Sequence, residues 1–204
     1  LISFYEKYYS SNTMGLALLS NHTLDNLESW AKIYFSDIKN RNLDRTVHDP
    51  EVFTKKETTR IVQIDPVKDI RDLQLFFPIS GTRDMYQSKP GRQMGFILGH
   101  EGKGSLLSFL KEKGWATSLS AGAGSDTKEY GRASVKIGLT EQGLKDYEEV
   151  LMATVDYIRL MKSAGYQEHV FNELKTMAEL EYVYGAKGEG MWRATQLANE
   201  AMMY

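Results

Sequence analysis

A glycine-rich bend that runs into a short amphipathic helix is the feature that most constrains this chain. Residues 99–115 read Gly-His-Glu-Gly-Lys-Gly-Ser-Leu-Leu-Ser-Phe-Leu-Lys-Glu-Lys-Gly-Trp. The leucines at 106, 107 and 110 share one face at helical spacing, which predicts a helix over 105–113. Gly114 is placed to end this helix in the left-handed conformation, and Trp115 would then pack back on Leu110. Three glycines ahead of so short a helix indicate backbone that something approaches closely.

Composition excludes several classes of function. The chain has 204 residues, of which 42% are hydrophobic, enough to bury a core. Its formal net charge of −2 provides no basic surface for nucleic acid, and no apolar run has the length of a membrane-spanning helix. We therefore expect neither a nucleic-acid partner nor a membrane partner. The absence of cysteine excludes disulfides and thiolate metal sites, and fits a soluble protein of either the periplasm or the cytoplasm.

The order of the predicted elements indicates an α+β fold. Apolar runs and apolar-polar alternation predict about five strands, at 14–19, 61–64, 73–79, 116–124 and 133–139. Helical spacing predicts helices at 2–9, 24–34, 91–98, 105–113, 141–158 and 167–184. We expect a mostly antiparallel sheet with helices packed on one face, in one domain over residues 1–184. Residues 185–204 are then a helical segment leading toward the next domain of a longer protein, and the chain itself opens inside a helix.

The usual signatures of catalysis are missing from the sequence. The four histidines, His22, His48, His100 and His169, are scattered, whereas a zinc peptidase needs two histidines one helical turn apart beside a glutamate. Glu168-His169 ends an inverted zinc motif whose first ligand is replaced by glycine, which we interpret as chance. The glycines at 99, 102 and 104 lack the Lys-Ser/Thr that follows a phosphate-binding loop. We expect no catalytic residue, no metal ligand and no cofactor in these residues.

A run of small side chains marks a candidate binding surface. Residues 116–124 read Ala-Thr-Ser-Leu-Ser-Ala-Gly-Ala-Gly, which brings little apolar area to a core. At a sheet edge such a strand leaves its backbone N–H and C=O groups open to a guest peptide that adds as another strand. The alternative is a glycine-rich hairpin arm. Glu101 also has two interpretations: it complements the dipole of the following helix, or it binds a cation such as the α-amine of a peptide.

Six segments together carry a family resemblance that spans nearly the whole chain. They are Tyr8-Tyr9-Ser10-Ser11-Asn12, Pro66-Val67-Lys68-Asp69-Ile70-Arg71, Phe77-Pro78-Ile79, Gly99-His100-Glu101-Gly102, Lys113-Gly114-Trp115 and Leu139-Thr140-Glu141-Gln142-Gly143-Leu144. They resemble the insulinase/pitrilysin family of zinc metallopeptidases, in its insulysin, pitrilysin and nardilysin branch. The similarity is to the second, non-catalytic domain of the N-terminal half, which lacks the HxxEH zinc motif.

The resemblance implies a fold of the LuxS/MPP-like metallopeptidase type and a parent protein that is a zinc metalloendopeptidase. An upstream domain would bind the zinc, and this fragment alone should be inactive. The resemblance also implies a peptide-substrate exosite, at which the N-terminal end of the peptide is anchored by β-strand addition. Carried over by position, the substrate-binding residues are Gly99, Glu101, Leu119, Ala121 and Ala123, with alanine standing where the family has glycine.

Two other functions stay open at the level of sequence. A non-proteolytic structural or assembly domain of a processing-peptidase-like complex would share these segments but would lack an upstream zinc motif. An autonomous peptide-binding module is the third possibility. For the first two, the implied partners are the other domains of the same full-length chain.

Overall fold

A computed structural model describes residues 1–44, 46–47, 53–125 and 128–203. The contacts divide the chain into two compact units, one formed by Leu1–Val47 with Val183–Tyr204 and the other by His48–Tyr182. This division does not follow the boundary that the sequence suggests after residue 184, so a domain over 1–184 stays a proposal. None of the helices in the described part of the chain combines the length and apolarity that crossing a bilayer requires.

Eight α-helices and three strands are described. In chain order they are α1 (Ile2–Tyr8), α2 (Leu24–Phe35), β1 (Asp72–Ser80), α3 (Pro90–Leu98), α4 (Leu106–Glu112), β2 (Ala116–Ser125), β3 (Tyr130–Leu139), α5 (Glu141–Lys145), α6 (Tyr147–Ala164), α7 (Glu168–Tyr184) and α8 (Gly190–Met203). The prediction of mixed helix and antiparallel sheet is confirmed.

The sheet has the order β1-β3-β2, with both pairs antiparallel. Alternate residues of β3 are buried, and Val135, at the centre of the strand, lies opposite Leu75 on one side and Ala121 on the other. α3 and α4 pack against β2, and α6 packs against α4. The core cluster consists of Leu75, Leu98, Leu106, Leu107, Leu110, Ala116, Leu119, Val135, Ile137, Leu139 and Val150.

The described residues form three strands where the sequence predicts about five. The predicted strands at 14–19 and 61–64 are not confirmed, because neither segment pairs with a strand among the described residues. Their apolar side chains are largely exposed, at 47% for Leu16 and 80% for Ile64. An apolar run or an apolar-polar alternation indicates that a segment can form a strand. A strand also needs a neighbouring strand with which its backbone N–H and C=O groups form hydrogen bonds.

The end of α4 adopts the geometry that the sequence predicts. Gly114 is left-handed, with φ of 73°. The N–H of Gly114 donates to the carbonyl oxygen of Lys111, and that of Trp115 to the carbonyl oxygen of Leu110, each at 2.9 Å. These two bonds form a Schellman motif, which turns the chain sharply from α4 into β2. The start of the edge strand is thereby fixed relative to the glycine-rich bend.

Trp115 holds this corner against the segment that follows β3. Its indole Nε1 donates to the Asp146 carboxylate at 2.9 Å, and the indole meets Phe109 edge-on with ring centroids 6.4 Å apart. The side chain is half-buried. The sequence predicts one helix over 141–158, but the structure breaks it at Asp146 into α5 and α6.

In the unit that contains the N-terminus, Ser10 and Asn12 tie two distant segments together. Ser10 is fully buried, and its hydroxyl accepts a hydrogen bond from the N–H of Arg41 at 2.7 Å. The Asn12 amide donates to the carbonyl oxygen of Leu43 at 2.9 Å. These contacts give the Ser-Ser-Asn segment a structural role.

Candidate functional site

A groove of about 360 Å³ lies beside β2. Four of the five residues that the sequence suggests for substrate binding line it: Gly99, Glu101, Leu119 and Ala121. The other lining residues are Gly95, Phe96, His100 and Ser120. The groove therefore combines the end of α3, the glycine-rich bend and the middle of the edge strand.

A row of glycines lets the α3 segment lie close to this strand. Gly91, Gly95 and Gly99 are four residues apart, so they fall on one side of the helix. A Cβ on Gly95 would lie 3.2 Å from the carbonyl oxygen of Ala121, and one on Gly99 would lie 3.7 Å from the nitrogen of Ala121. The four-residue spacing is visible in the sequence. Its significance depends on what α3 packs against, which the spacing does not show.

The backbone N–H and C=O of Ala121 point away from β3, toward the groove. Within an antiparallel ladder, the N–H and C=O of one residue point to the partner strand and those of the next point away. The nitrogen and oxygen of Ala121 both lie near the glycines of the α3 segment, on the side away from β3. The two-residue period gives Leu119 the same orientation. Among the described strands, β2 pairs only with β3, so this side of it is a free edge.

Ala123 does not line the groove. Its carbonyl oxygen faces Gly91, where a Cβ would lie only 2.7 Å away. The first turn of α3 therefore lies close to the backbone of β2 at this point. Of the three strand residues that the sequence suggests for substrate binding, Leu119 and Ala121 line the groove and Ala123 does not.

Glu101 carries the only carboxylate among the described residues that line the groove. It is exposed, and no basic side chain in the described part of the chain pairs with it. It lies in the bend, ahead of the N-cap Ser105, and the first turn of α4 contains no acidic residue. Because the effect of a helix dipole falls off within the first turn, the dipole of α4 has little influence at this position.

The imidazole of His100 occupies the space that a side chain at position 102 would fill. A Cβ on Gly102 would lie 2.5 Å from His100 Nε2, so the imidazole rests against the Gly102 backbone. The ring centroids of His100 and Phe96 are 6.2 Å apart, within the range of aromatic pairs. Neither Phe96 nor His100 is predicted from the sequence to line the groove. Their proximity to Glu101 along the chain is the only signal that the sequence offers.

The described residues do not fit a zinc ion. No group of three or more His, Cys, Asp or Glu side chains among them is arranged to hold a metal. His22 packs edge-on against Trp30, and His100 rests against Gly102. His48 lies outside the described residues. A zinc site needs three protein ligands, so we derive no metal chemistry from this part of the chain.

Residues 1–178 match the protein family described as the peptidase M16 inactive domain. The chain belongs to this family. The match covers most of the 204 residues, and it agrees with the resemblance to insulinase-type zinc metallopeptidases. The family description also names the domain as inactive, in keeping with a sequence that lacks the zinc motif.

Similar proteins include several peptidases. The chain is 32% identical over 198 residues to the A-factor-processing enzyme of Saccharomyces cerevisiae, covering 97% of this chain and 19% of that protein. It is 38% identical over 182 residues to the putative zinc protease mug138 of Schizosaccharomyces pombe, covering 89% and 19%. It is 34% identical over 187 residues to the insulin-degrading enzyme of Homo sapiens, covering 92% and 18%. The chain thus spans about one fifth of the length of these curated relatives.

A solved structure shows the same fold. The crystal structure of pitrilysin superposes with a TM-score of 0.73 at 21% identity, over 98% of this chain and 22% of that one. Together with the relatives, this likeness confirms the predicted membership of the insulinase/pitrilysin family. At this level of identity the superposition carries the fold and not the role of any residue.

Proposed function

We propose that this chain is the substrate-binding, or exosite, domain of a zinc metalloendopeptidase that degrades peptides. It anchors the N-terminal end of a peptide by β-strand addition, while an upstream domain of the parent protein holds the zinc and cleaves. The observation that carries the proposal is the groove, in which the free edge at Ala121 opens beside the Glu101 carboxylate. Family membership supports the peptidase context.

The strand edge supplies affinity that does not depend on peptide sequence. A peptide beside β2 pairs its backbone with the outward N–H and C=O groups of Leu119 and Ala121. Each such hydrogen bond contributes about 0.5–1.5 kcal/mol net, because it replaces bonds to water. The small side chains of Ser120 and Ala121 leave the edge accessible.

Glu101 supplies selectivity for a chain end. A free peptide α-amine has a pKa of about 7.7–8.0 and is largely protonated at neutral pH. The Glu101 carboxylate is exposed, so its pairing with that amine contributes only about 1 kcal/mol. Affinity is therefore modest. A peptide held at one end nevertheless meets the catalytic domain of the same protein at a raised effective concentration.

Peptide titration of the 204-residue chain, followed by amide chemical shifts, tests this proposal. A peptide with a free amine should shift signals at residues 95–101 and 119–121, and N-acetylation should weaken binding several-fold. Ala121→Pro removes an outward N–H and should weaken binding more than Glu101→Gln. Shifts that map to α6 and spare the groove would overturn the proposal.

Gln74→Pro is the matched control for the proline substitution. Val135 lies opposite Ala121, so its N–H and C=O also point away from β2, and they bond to Leu75 on the other side. The backbone groups of Gln74, the next residue in β1, therefore point away from β3, to the side of β1 on which no described strand pairs. Pro78 already occupies an outward position of the same parity in β1. We therefore expect Gln74→Pro to fold and to bind peptide as the parent chain does. If it weakened binding as much as Ala121→Pro, the effect would not belong to the groove.

A further inference from the structure

We propose that Phe96 and His100 form a side-chain subsite, which selects an aliphatic or aromatic residue among the first three of the bound peptide. This inference depends on the proposed function, since it concerns the same groove. The subsite would give a preference for certain peptide sequences to a groove that otherwise recognises only the peptide backbone and its free α-amine.

The argument begins with the direction of peptide side chains. In a pair of strands, residues directly opposite each other project to the same face of the sheet. A peptide residue opposite Leu119 or Ala121 therefore points to the side on which those two side chains lie. Leu119 is 6% exposed and belongs to the core, so this is the side covered by helices. The next residue of the peptide points to the opposite side.

Phe96 and His100 line the groove together with Leu119 and Ala121. Their ring centroids lie 6.2 Å apart, with an angle of 43° between the ring planes, and the two residues together form one wall of the groove. Apart from Glu101, the remaining neighbours are small, namely Gly95, Gly99 and Ser120, and the groove has a volume of about 360 Å³. Ligand sites in proteins begin near 300 Å³. The groove thus has room for a side chain as well as for backbone.

The position of the His100 ring in this wall depends on Gly102. The His100 ring rests where a Gly102 side chain would be, so a methyl group there has to displace the ring. Gly102→Ala is thus expected to disturb the wall without altering Phe96, and it leaves the Glu101 side chain unchanged. Acidic peptide residues are disfavoured, because the Glu101 carboxylate, which lines the groove, would repel them. An apolar side chain meets no such repulsion and gains contact with the rings.

A set of matched peptides tests the subsite. All carry a free amine and a Gly/Ser background, and a single leucine or glutamine is placed at position 1, 2 or 3. For one position we expect leucine to bind about tenfold more tightly than glutamine, measured by chemical-shift titration of the 204-residue chain. Phe96→Ala should abolish that difference by lowering the affinity for the leucine peptide to about that for the glutamine peptide. Gly102→Ala and His100→Ala should reduce the difference.

Phe76→Ala is the control. Phe76 is 55% exposed and lies in β1, outside the groove, so the leucine preference should survive its removal. Equal affinity for leucine and glutamine at all three positions would overturn the inference, and so would a preference that persists in Phe96→Ala. If Phe96→Ala fails to fold by circular dichroism, His100→Ala, at an exposed position, gives the same comparison.

The result separates this inference from the proposed function. Shifts within the groove without any side-chain preference would refute the subsite and keep strand addition. Shifts away from the groove, with no effect of N-acetylation, would refute both.

Discussion

Gly143 has no room for a side chain, since a Cβ there would overlap the carbonyl oxygen of Trp115. Gly143→Ala must therefore displace backbone, and it should lower the free energy of unfolding by about 1–3 kcal/mol despite the helix preference of alanine. Gly124→Ala is the control, because nothing lies within 4 Å of the added methyl. It should change stability by at most about 0.5 kcal/mol. Equal unfolding temperatures for the two variants would contradict this account.

Trp115 allows its hydrogen bond and its packing to be separated. Trp115→Phe removes the Nε1 donor to Asp146 but keeps a ring beside Phe109, so we expect a loss of about 1 kcal/mol. Trp115→Ala removes both and should cost about 3 kcal/mol. Chemical denaturation measures the difference. Trp192→Ala serves as the control, because Trp192 is 67% exposed and should lose little stability. A similar loss at both tryptophans would remove the anchoring role of Trp115.

At the scale of secondary-structure elements, Thr140 joins the start of α5 to the end of α4. Its hydroxyl accepts a hydrogen bond from the N–H of Gly143 at 2.9 Å and donates one to the carbonyl oxygen of Gly114 at 2.6 Å. Thr140→Ala breaks both and should lower the free energy of unfolding by about 1–2 kcal/mol. Thr140→Ser keeps both bonds. If thermal unfolding showed the same loss for serine as for alanine, the hydroxyl would not be the cause.

The approach of α3 to β2 gives a prediction at the same scale. Gly95→Ala places a Cβ 3.2 Å from the Ala121 carbonyl oxygen, inside the groove. We expect peptide affinity to fall several-fold while the unfolding temperature stays close to that of the parent chain. Gly122→Ala adds a methyl to the same strand where nothing lies within 4 Å, and it should bind normally. Equal binding by both variants would show that the helix contact does not shape the site.

For the whole molecule, we expect no stoichiometric zinc and no peptidase activity from the 204-residue chain. The described histidines and carboxylates do not converge into a group able to hold a metal, and the sequence has no zinc-peptidase motif. Metal analysis of the purified chain should find far less than one zinc per molecule. A fluorogenic peptide should remain uncut with and without added zinc. Chelator-sensitive cleavage at enzyme-like rates would reverse the assignment.

Sequence alone determined the features that depend on near neighbours in the chain. The left-handed conformation of Gly114 is predicted from residues within two turns of it, and the structure confirms that prediction. The alternation along β3 is confirmed for the same reason, because a strand with one buried face imposes a two-residue period. Segment-by-segment resemblance also indicated the family.

Tertiary structure decided everything that needs two distant segments to meet. The predicted long helix breaks at Asp146, whose carboxylate accepts a hydrogen bond from Trp115, 31 positions away. The strands expected at 14–19 and 61–64 have no pairing partner among the described residues. The close approach of Gly91 to the Ala123 carbonyl oxygen, and the meeting of Phe96 and Leu119 in one groove, arise only when α3 packs on β2. Local patterns specify which elements can form, but contacts remote in sequence determine which edges stay open.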